Sequence, residues 1–264
     1  MIELFGVYKF AFLLSPFVAG ILSVLGAHLV SRGQGLQLMA LAQVALVGNI
    51  FGHLVGHDKE VFCLLFSLLL FALVKFIFTL FKSIREQTYI VVYLSFIALS
   101  YFMVTLFPDL DSHFAVGFFG DIVSISNHKS FSIFLLFLVI IILYFFLHKR
   151  LVKSTIDKSI LNIQKIDFLE EIYFTLGVLL SLYGLGFLFT LSFLIFPVLI
   201  LGRGFKNLRQ SLIVMAIVSG FSSMFGLALS IVNSKVATVP AQVLSLVIFM
   251  LICRFIFNKF RRVS

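Results

Sequence analysis

The densest metal-binding chemistry in the chain lies in the stretch GHLVGHDKE. His53 and His57 are four residues apart, so on a helix both imidazoles share a face, and Asp58 follows the second. Imidazole and carboxylate together suit a divalent cation such as zinc or manganese. The set is a candidate outer entry site for a cation; the same residues also suit a polar helix end at the level of lipid headgroups. Glu170 and Glu171 open an apolar run, where the positive end of a helix dipole favours them. Lys75 sits inside another apolar run, close enough to its end for the ammonium to snorkel to the surface. His28 is a lone histidine, which fits an interhelical hydrogen bond better than a ligand, and His113 and His128 carry no spacing signal. Tyr93 and Tyr101 suit packing as well as a hydrogen bond across a path. There is no Ser/His/Asp arrangement, no intramembrane carboxylate pair and no H-E-x-x-H, which argues against an intramembrane protease or transferase. There is no G-x-x-x-x-G-K-[ST] either, so the chain does not bind and hydrolyse ATP by that loop.

The elements that must carry these residues are membrane helices. The 264 residues are 61% hydrophobic and 12% charged, too little polar surface for a soluble domain of this length. The apolar runs are continuous rather than alternating, which argues against an outer-membrane barrel. The expected fold class is all-α: a polytopic helical membrane protein with eight or nine spans. Judged against the ~20 apolar residues needed to cross a bilayer, the spans are roughly 8–30, 35–56, 61–81, 88–107, 131–147, 168–184, 186–202, 210–232 and 238–257. The sixth and seventh meet at Tyr183-Gly184-Leu185-Gly186, either as a tight hairpin or as one long bent element, and this makes the count eight or nine. The first apolar run is too long for a cleavable signal and lacks a basic flank, so it reads as a span. Cys63 and Cys253 lie in apolar runs and read as packing thiols.

The longest polar interval is His148 to Asp167, and it is rich in lysine. The positive-inside rule places it in the cytoplasm, with Arg32, Lys82, Arg85, Arg203, Lys206, Arg209, Lys259, Arg261 and Arg262 on the same side. That orientation puts the C-terminus in the cytoplasm. The net charge of +9 is then an orientation signal and an anionic-lipid contact rather than a nucleic-acid footprint. Within the interval, Ile156, Ile160, Ile163 and Ile166 recur at spacings of three and four, which predicts a short amphipathic helix over about Thr155 to Ile166. Such a helix can rest on lipid or dock into a partner. Residues 108–130 are too polar for a span and too apolar for a free loop, and read as a partly buried outer segment. The whole chain, 1–264, reads as a single transmembrane domain.

The order of features resembles the permease subunits of bacterial ABC importers for zinc and manganese, whose fold is related to that of the cobalamin importers. The likeness runs through SPFVAGILSVLGAHLV, the Phe119-Gly120-Asp121 segment, GLGFLFTLSFLIFPVLILGRGFKNLRQ and NSKVATVPAQVLSLVIFMLI with Pro240. The resemblance implies a multi-pass protein of the bacterial cytoplasmic membrane, a second permease copy, a separate ABC ATPase subunit that binds ATP, and an extracytoplasmic solute-binding protein. It implies no covalently bound cofactor, no enzyme activity in this chain, and a transported metal ion as cargo. It also implies that segment 148–167 is the coupling helix, with Ile156, Ser159, Ile160, Asn162 and Ile163 facing the ATPase. Ser159 falls where the family has an Ala, and Asn162 or Gln164 where it has a Gly.

The family's second span carries Gly-Asp-x-Leu-x-His-Ala, whose Asp and His line the metal path. Aligned on Gly48, this chain has Met39 in place of the Asp and Gln43 in place of the His. The two remain one turn apart on one face, but a thioether and a neutral amide bind zinc or manganese poorly. Met39 and Gln43 are therefore expected path residues with altered chemistry, or packing and interhelical hydrogen-bonding groups. The expected function is import of a divalent metal through an ATP-driven permease; the alternative is a diverged subunit that keeps the fold and the ATPase contact but not the ion site.

Overall fold

The computed structural model describes residues 8–56, 60–80, 86–120, 127–159, 167–202, 207–233 and 235–263. Among them are ten α-helices: α1 Lys9–Ser31, α2 Gly35–Gly56, α3 Glu60–Leu80, α4 Glu86–Leu106, α5 Asp111–Phe119, α6 Asn127–Ser159, α7 Phe168–Leu185, α8 Phe187–Leu201, α9 Leu208–Val232 and α10 Thr238–Val263. A single 3-10 turn, Pro108–Leu110, leads into α5. Eight of the helices are long and apolar enough to cross a membrane; α5 and α8 are the short ones. The chain is a multi-pass helical membrane protein.

α8 is the hub. It lies against α1, α2, α5, α7, α9 and α10. Its fifteen residues carry no charge, and Phe189, Thr190, Phe193 and Leu194 are fully buried. At 1.5 Å per residue it is about 22 Å long, shorter than the ~30 Å hydrocarbon core. A helix enclosed by others need not reach both lipid surfaces. The outer shell shows the opposite pattern: α4 buries only 11% of its apolar window, against 67% for α2. Phe145 and Phe146 on α6 are 74% and 83% exposed, as side chains facing lipid should be.

The junction of α7 and α8 resolves the ambiguity over hairpin or bend. One residue, Gly186, separates the two helices, at φ 85° and ψ 170°. α7 runs from Glu170, beside Arg32, to Leu185, beside Gly120. α8 starts at Phe187, stacked on Phe118, and reaches Leu194 beside Gly26 of α1. It therefore runs back along the bundle, and the pair is a hairpin. Gly120 also has a positive φ, 76°, and packs directly on Gly186 and on the Leu185 carbonyl. A side chain at either position meets both an unfavourable backbone region and an occupied space. The Phe119-Gly120 pair thus fits α5 into the hairpin tip.

Close approach recurs elsewhere. Gly48, Gly52 and Gly56 on α2 lie against Phe66–Ser67, Phe62–Cys63 and Phe62 of α3. Small residues at four-residue intervals let membrane helices meet backbone to backbone. A polar contact joins α1, α9 and α10: Gln242 Nε2 donates to Ser15 Oγ at 2.7 Å and to the Ser223 carbonyl at 3.1 Å, and the two serine hydroxyls bond to each other.

Two expectations need correction. The fifth span does not stop near 147 with a separate helix after it. α6 is continuous from Asn127 to Ser159, 33 residues, so Thr155 to Ser159 are its last turns. No Gly or Pro interrupts it, and Leu151 and Thr155 bury against the bundle, which carries the helix past the apolar run. At about 50 Å it is longer than the hydrocarbon core and projects beyond it. Lys75 does not simply snorkel: its ammonium lies 2.6 Å from the Glu171 carboxylate and donates to Thr175 Oγ1 at 2.8 Å. The two side chains are each 21% exposed, and pairing opposite charges offsets part of the cost of taking them out of water.

Candidate functional site

Three sets of polar residues stand out along the bundle. The first is a stripe on α2. Met39, Gln43, Leu46, Asn49 and His53 follow at intervals of four, three, three and four, which is one helical face. Met39 is half-buried and packs on the main core, whereas Gln43 is 1% exposed. Gln43 Nε2 donates to Ser100 Oγ on α4 at 2.9 Å, and Ser100 donates to the Phe96 carbonyl at 2.7 Å. The serine proton is thus used, so Ser100 can only accept from the glutamine, which fixes the amide orientation. Gln43 Oε1 has no partner among the described residues. Met39 and Gln43 do not form a divalent-metal pair.

Next to this stripe lies a cavity of about 240 Å³ between α2, α3 and α7. Leucines line most of it, with Asn49, Ser67 and Tyr183 as its polar members. Neither Met39 nor Gln43 is among its lining residues.

The second set is at the Gly120 end. The ring of His53 stacks on His113 of α5, with centroids 4.0 Å apart and planes 23° from parallel. His113 carried no signal in the sequence. It is 60 positions from His53, and only the folding of α5 onto α2 brings the two together. His57 and Asp58 lie outside the described residues. Among the described residues no group of three or more His, Cys, Asp and Glu is arranged to hold a metal.

The third set, at the opposite end, is the most extensive. Arg32 follows α1, and each of its nitrogens has a different acceptor. Nη1 donates to Glu170 Oε2 at 3.0 Å, Nε to Thr155 Oγ1 at 3.2 Å and Nη2 to the Leu151 carbonyl at 3.2 Å. The guanidinium also lies over the Phe174 ring, 4.8 Å from its centroid. Both charged side chains are buried, at 0% and 1% exposure. Burial lowers the Arg32 pKa from its ordinary value and Glu170 opposes that shift; a guanidinium starts so far above neutrality that it stays charged. Ser154 Oγ donates to the same Glu170 oxygen at 2.7 Å. The Thr155 hydroxyl donates to the Leu151 carbonyl at 2.7 Å and accepts from Arg32, so its remaining lone pair faces His28 Nδ1 at 2.8 Å. That count makes Nδ1 of His28 the protonated nitrogen. Tyr144 Oη lies 3.5 Å from His28 Nε2 and 3.0 Å from His148 Nδ1.

Both ends of segment 148–167 are anchored here. Asp167 caps α7 by accepting from the Leu169 amide at 3.2 Å, and it pairs with Arg150. Desolvation pushes the Asp167 pKa up, but the hydrogen bond and charge of Arg150 together with the Leu169 and Glu170 amides outweigh it and hold the carboxyl below its usual value. Lys158 lies 4.0 Å from Glu171. Of the residues expected to face an ATPase, Ile156 is 43% exposed on the side away from Thr155, and Ser159 is exposed in the last turn. Ile156 borders a shallow groove with His148, Lys149, Val152, Lys153 and Asp157. Ile160, Asn162 and Ile163 lie outside the described residues.

The helix dipole alone does not account for Glu170 and Glu171; they are ion-pair partners of Arg32, Lys75 and Lys158. A balance of buried charges was the available signal, because acidic residues beside apolar runs need cations nearby. Tyr101 is 59% exposed and packs its ring on Phe114, so it faces away from the interior.

Comparison with known proteins agrees with the architecture. The model of the ABC 3 transport family matches residues 5–257. A solved structure described as PsaBC from Streptococcus pneumoniae in complex with Fab superposes with a TM-score of 0.77. It shares 20% identity, with 93% of this chain and 90% of that chain covered, a likeness of fold. No curated protein matches by sequence. With the family model spanning nearly every helix of the bundle, the chain belongs to the ABC 3 transport family.

Proposed function

We propose that the chain is the membrane subunit of an ATP-driven importer that carries a divalent metal cation, such as zinc or manganese, into a bacterial cell. The observation that carries the reading is the family match from residue 5 to residue 257. Two features support it: a polar stripe along a buried helix, and a charged, anchored segment projecting from one end of the bundle.

In this reading the Gly120 end faces outward and receives the cation from a solute-binding protein. His53 and His57, with Asp58, meet it first, and His113 joins them across from α5. A cation reaching this end meets imidazole nitrogens from two helices at the rim of the stacked rings. The path then follows the α2 stripe past Asn49 and Gln43 toward the Arg32 end. Gln43 and Met39 offer no charge, so they pass a cation on rather than hold it. Weak binding along a path lets the cation leave. The Arg32 end faces the cytoplasm, where the exposed side of α6 around Ile156 and the residues to Ile163 meet a separate ATPase subunit. ATP is bound and hydrolysed there, not in this chain. Two permease copies form the assembly.

The test is uptake of radiolabelled zinc or manganese into proteoliposomes holding the permease and its ATPase subunit. ATP-dependent accumulation is expected, and Gln43→Ala or His57→Ala should reduce it at least tenfold. If both variants accumulate metal like the parent, the path assignment is wrong. Capture of the ATPase without any metal accumulation would remove the metal-import reading itself.

A further inference from the structure

The buried ion pair at the Arg32 end sits between the segment that meets the ATPase and the first span. We propose that Arg32 and Glu170 are positioning residues: through them a push on the coupling segment reaches α1, instead of dissipating in the last turns of α6. The proposal rests on the permease reading above.

The geometry is specific. One guanidinium and one carboxylate tie three helices together. Arg32 stands at the end of α1, Leu151, Ser154 and Thr155 are on α6, and Glu170 is in the first turn of α7. Away from this cluster α6 is held mainly by apolar packing, through Ile133, Phe137 and Ile140. It packs chiefly on α1 and α7, and much of its remaining surface is exposed. On either side of residues 160–166, Arg150 also pairs with Asp167 and Lys158 lies 4.0 Å from Glu171.

Beyond Arg32, α1 meets the central helices at close range. Gly26 meets the backbone of Leu194 in α8 with no side chain between. Gly20 faces the Ala216 carbonyl and Gly220 the Pro16 carbonyl, so α1 and α9 also meet closely. A displacement of α1 cannot be absorbed by rotamer changes at these contacts, because there are no rotamers there. The physical chain is therefore coupling segment, Arg32–Glu170, α1, then the central helices α8 and α9. A salt bridge placed only for stability could sit anywhere at the cytoplasmic face; here two of the three Arg32 acceptors, the Leu151 carbonyl and Thr155 Oγ1, belong to the coupling segment.

The test uses hydrogen–deuterium exchange on the complex of permease and ATPase subunit, with and without ATP, together with the ratio of metal transported to ATP hydrolysed. In the parent, ATP should change exchange in residues 150–158 and in residues 20–32 together. In Glu170→Gln the change should stay in 150–158 and fall at least fivefold in 20–32. ATPase capture and ATP hydrolysis should persist, while metal moved per ATP falls at least tenfold. Glu86→Gln, which removes a carboxylate from the first turn of α4, should keep the parental response. Arg32→Lys should restore only part of it, because an ammonium cannot match the three-way guanidinium fork, and it stands in should Glu170→Gln fail to fold. An undiminished 20–32 response in Glu170→Gln overturns the proposal, as does loss of ATPase capture in step with uptake. If the parent permease captures no ATPase, the permease reading fails. The proposal is then decided on the permease alone: Glu170→Gln must raise exchange at 28–32 and 150–158 together, and a rise in one without the other overturns it.

Discussion

At the scale of single residues, the informative positions are those where a side chain is either incomplete or impossible. Gln43 is incomplete: one amide hydrogen bond is made and the carbonyl oxygen is unpaired among the described residues. An unpaired buried acceptor costs about 1–3 kcal/mol and a typical hydrogen bond contributes about 0.5–1.5 kcal/mol. Gln43→Leu removes both, so thermal stability in detergent should change little, while uptake should fall if the residue lines the path. A loss of uptake in step with a loss of folded protein would instead mark Gln43 as structural. Gly26 is the impossible kind. An added Cβ would collide with the Leu194 backbone, which cannot rotate away. Gly26→Ala should lower stability by about 1–3 kcal/mol, the usual range for overpacking. Gly35→Ala, with only a Val30 methyl 3.9 Å away, should be tolerated. Thermal unfolding of the purified pair separates these outcomes.

At the scale of elements, α2 and α3 show how membrane helices associate where burial of apolar surface gives little drive, because lipid is as apolar as leucine. The run Gly48, Gly52, Gly56 removes side chains along one edge of α2, and α3 fills the space. Gly52→Leu should separate the two helices and sharply reduce the folded yield on size-exclusion chromatography; a monodisperse variant at parental yield would contradict this packing. The α7–α8 hairpin rests on Gly186 and its contact with Gly120. A glycine at a hairpin tip was legible from Tyr183-Gly184-Leu185-Gly186. That Gly186 alone turns the chain while Gly184 stays helical was not, because both glycines permit the turn and the contact with Gly120 selects between them.

At the scale of the whole molecule, the two ends differ in chemistry. One end has the His53–His113 stack and the glycine contact; the other has the ion pairs around Arg32. The positive-inside rule predicts that the Arg32 end faces the cytoplasm, and labelling tests it. Ile156→Cys and Val236→Cys both replace exposed residues. In intact cells with Cys253 replaced by Ser, a membrane-impermeant maleimide should label Val236→Cys only. Ile156→Cys should require permeabilisation, and the reverse pattern would invert the proposed direction of transport.

The sequence by itself determined the class of protein and the positions of its spans to within a few residues, except at the fifth, where α6 runs on from 147 to Ser159. A run of about twenty apolar residues has no other stable use than crossing a membrane or filling a very large core. It also made the family resemblance readable, along with the departure at Met39 and Gln43. Partnership across the bundle was decided only in three dimensions. His53 pairs with His113, Glu170 with Arg32, and Lys75 with Glu171 over separations of 60, 138 and 96 positions. No periodicity spans such distances. Each pair exists because a buried polar group must find a partner wherever packing brings one within reach, and packing is a property of the assembled bundle.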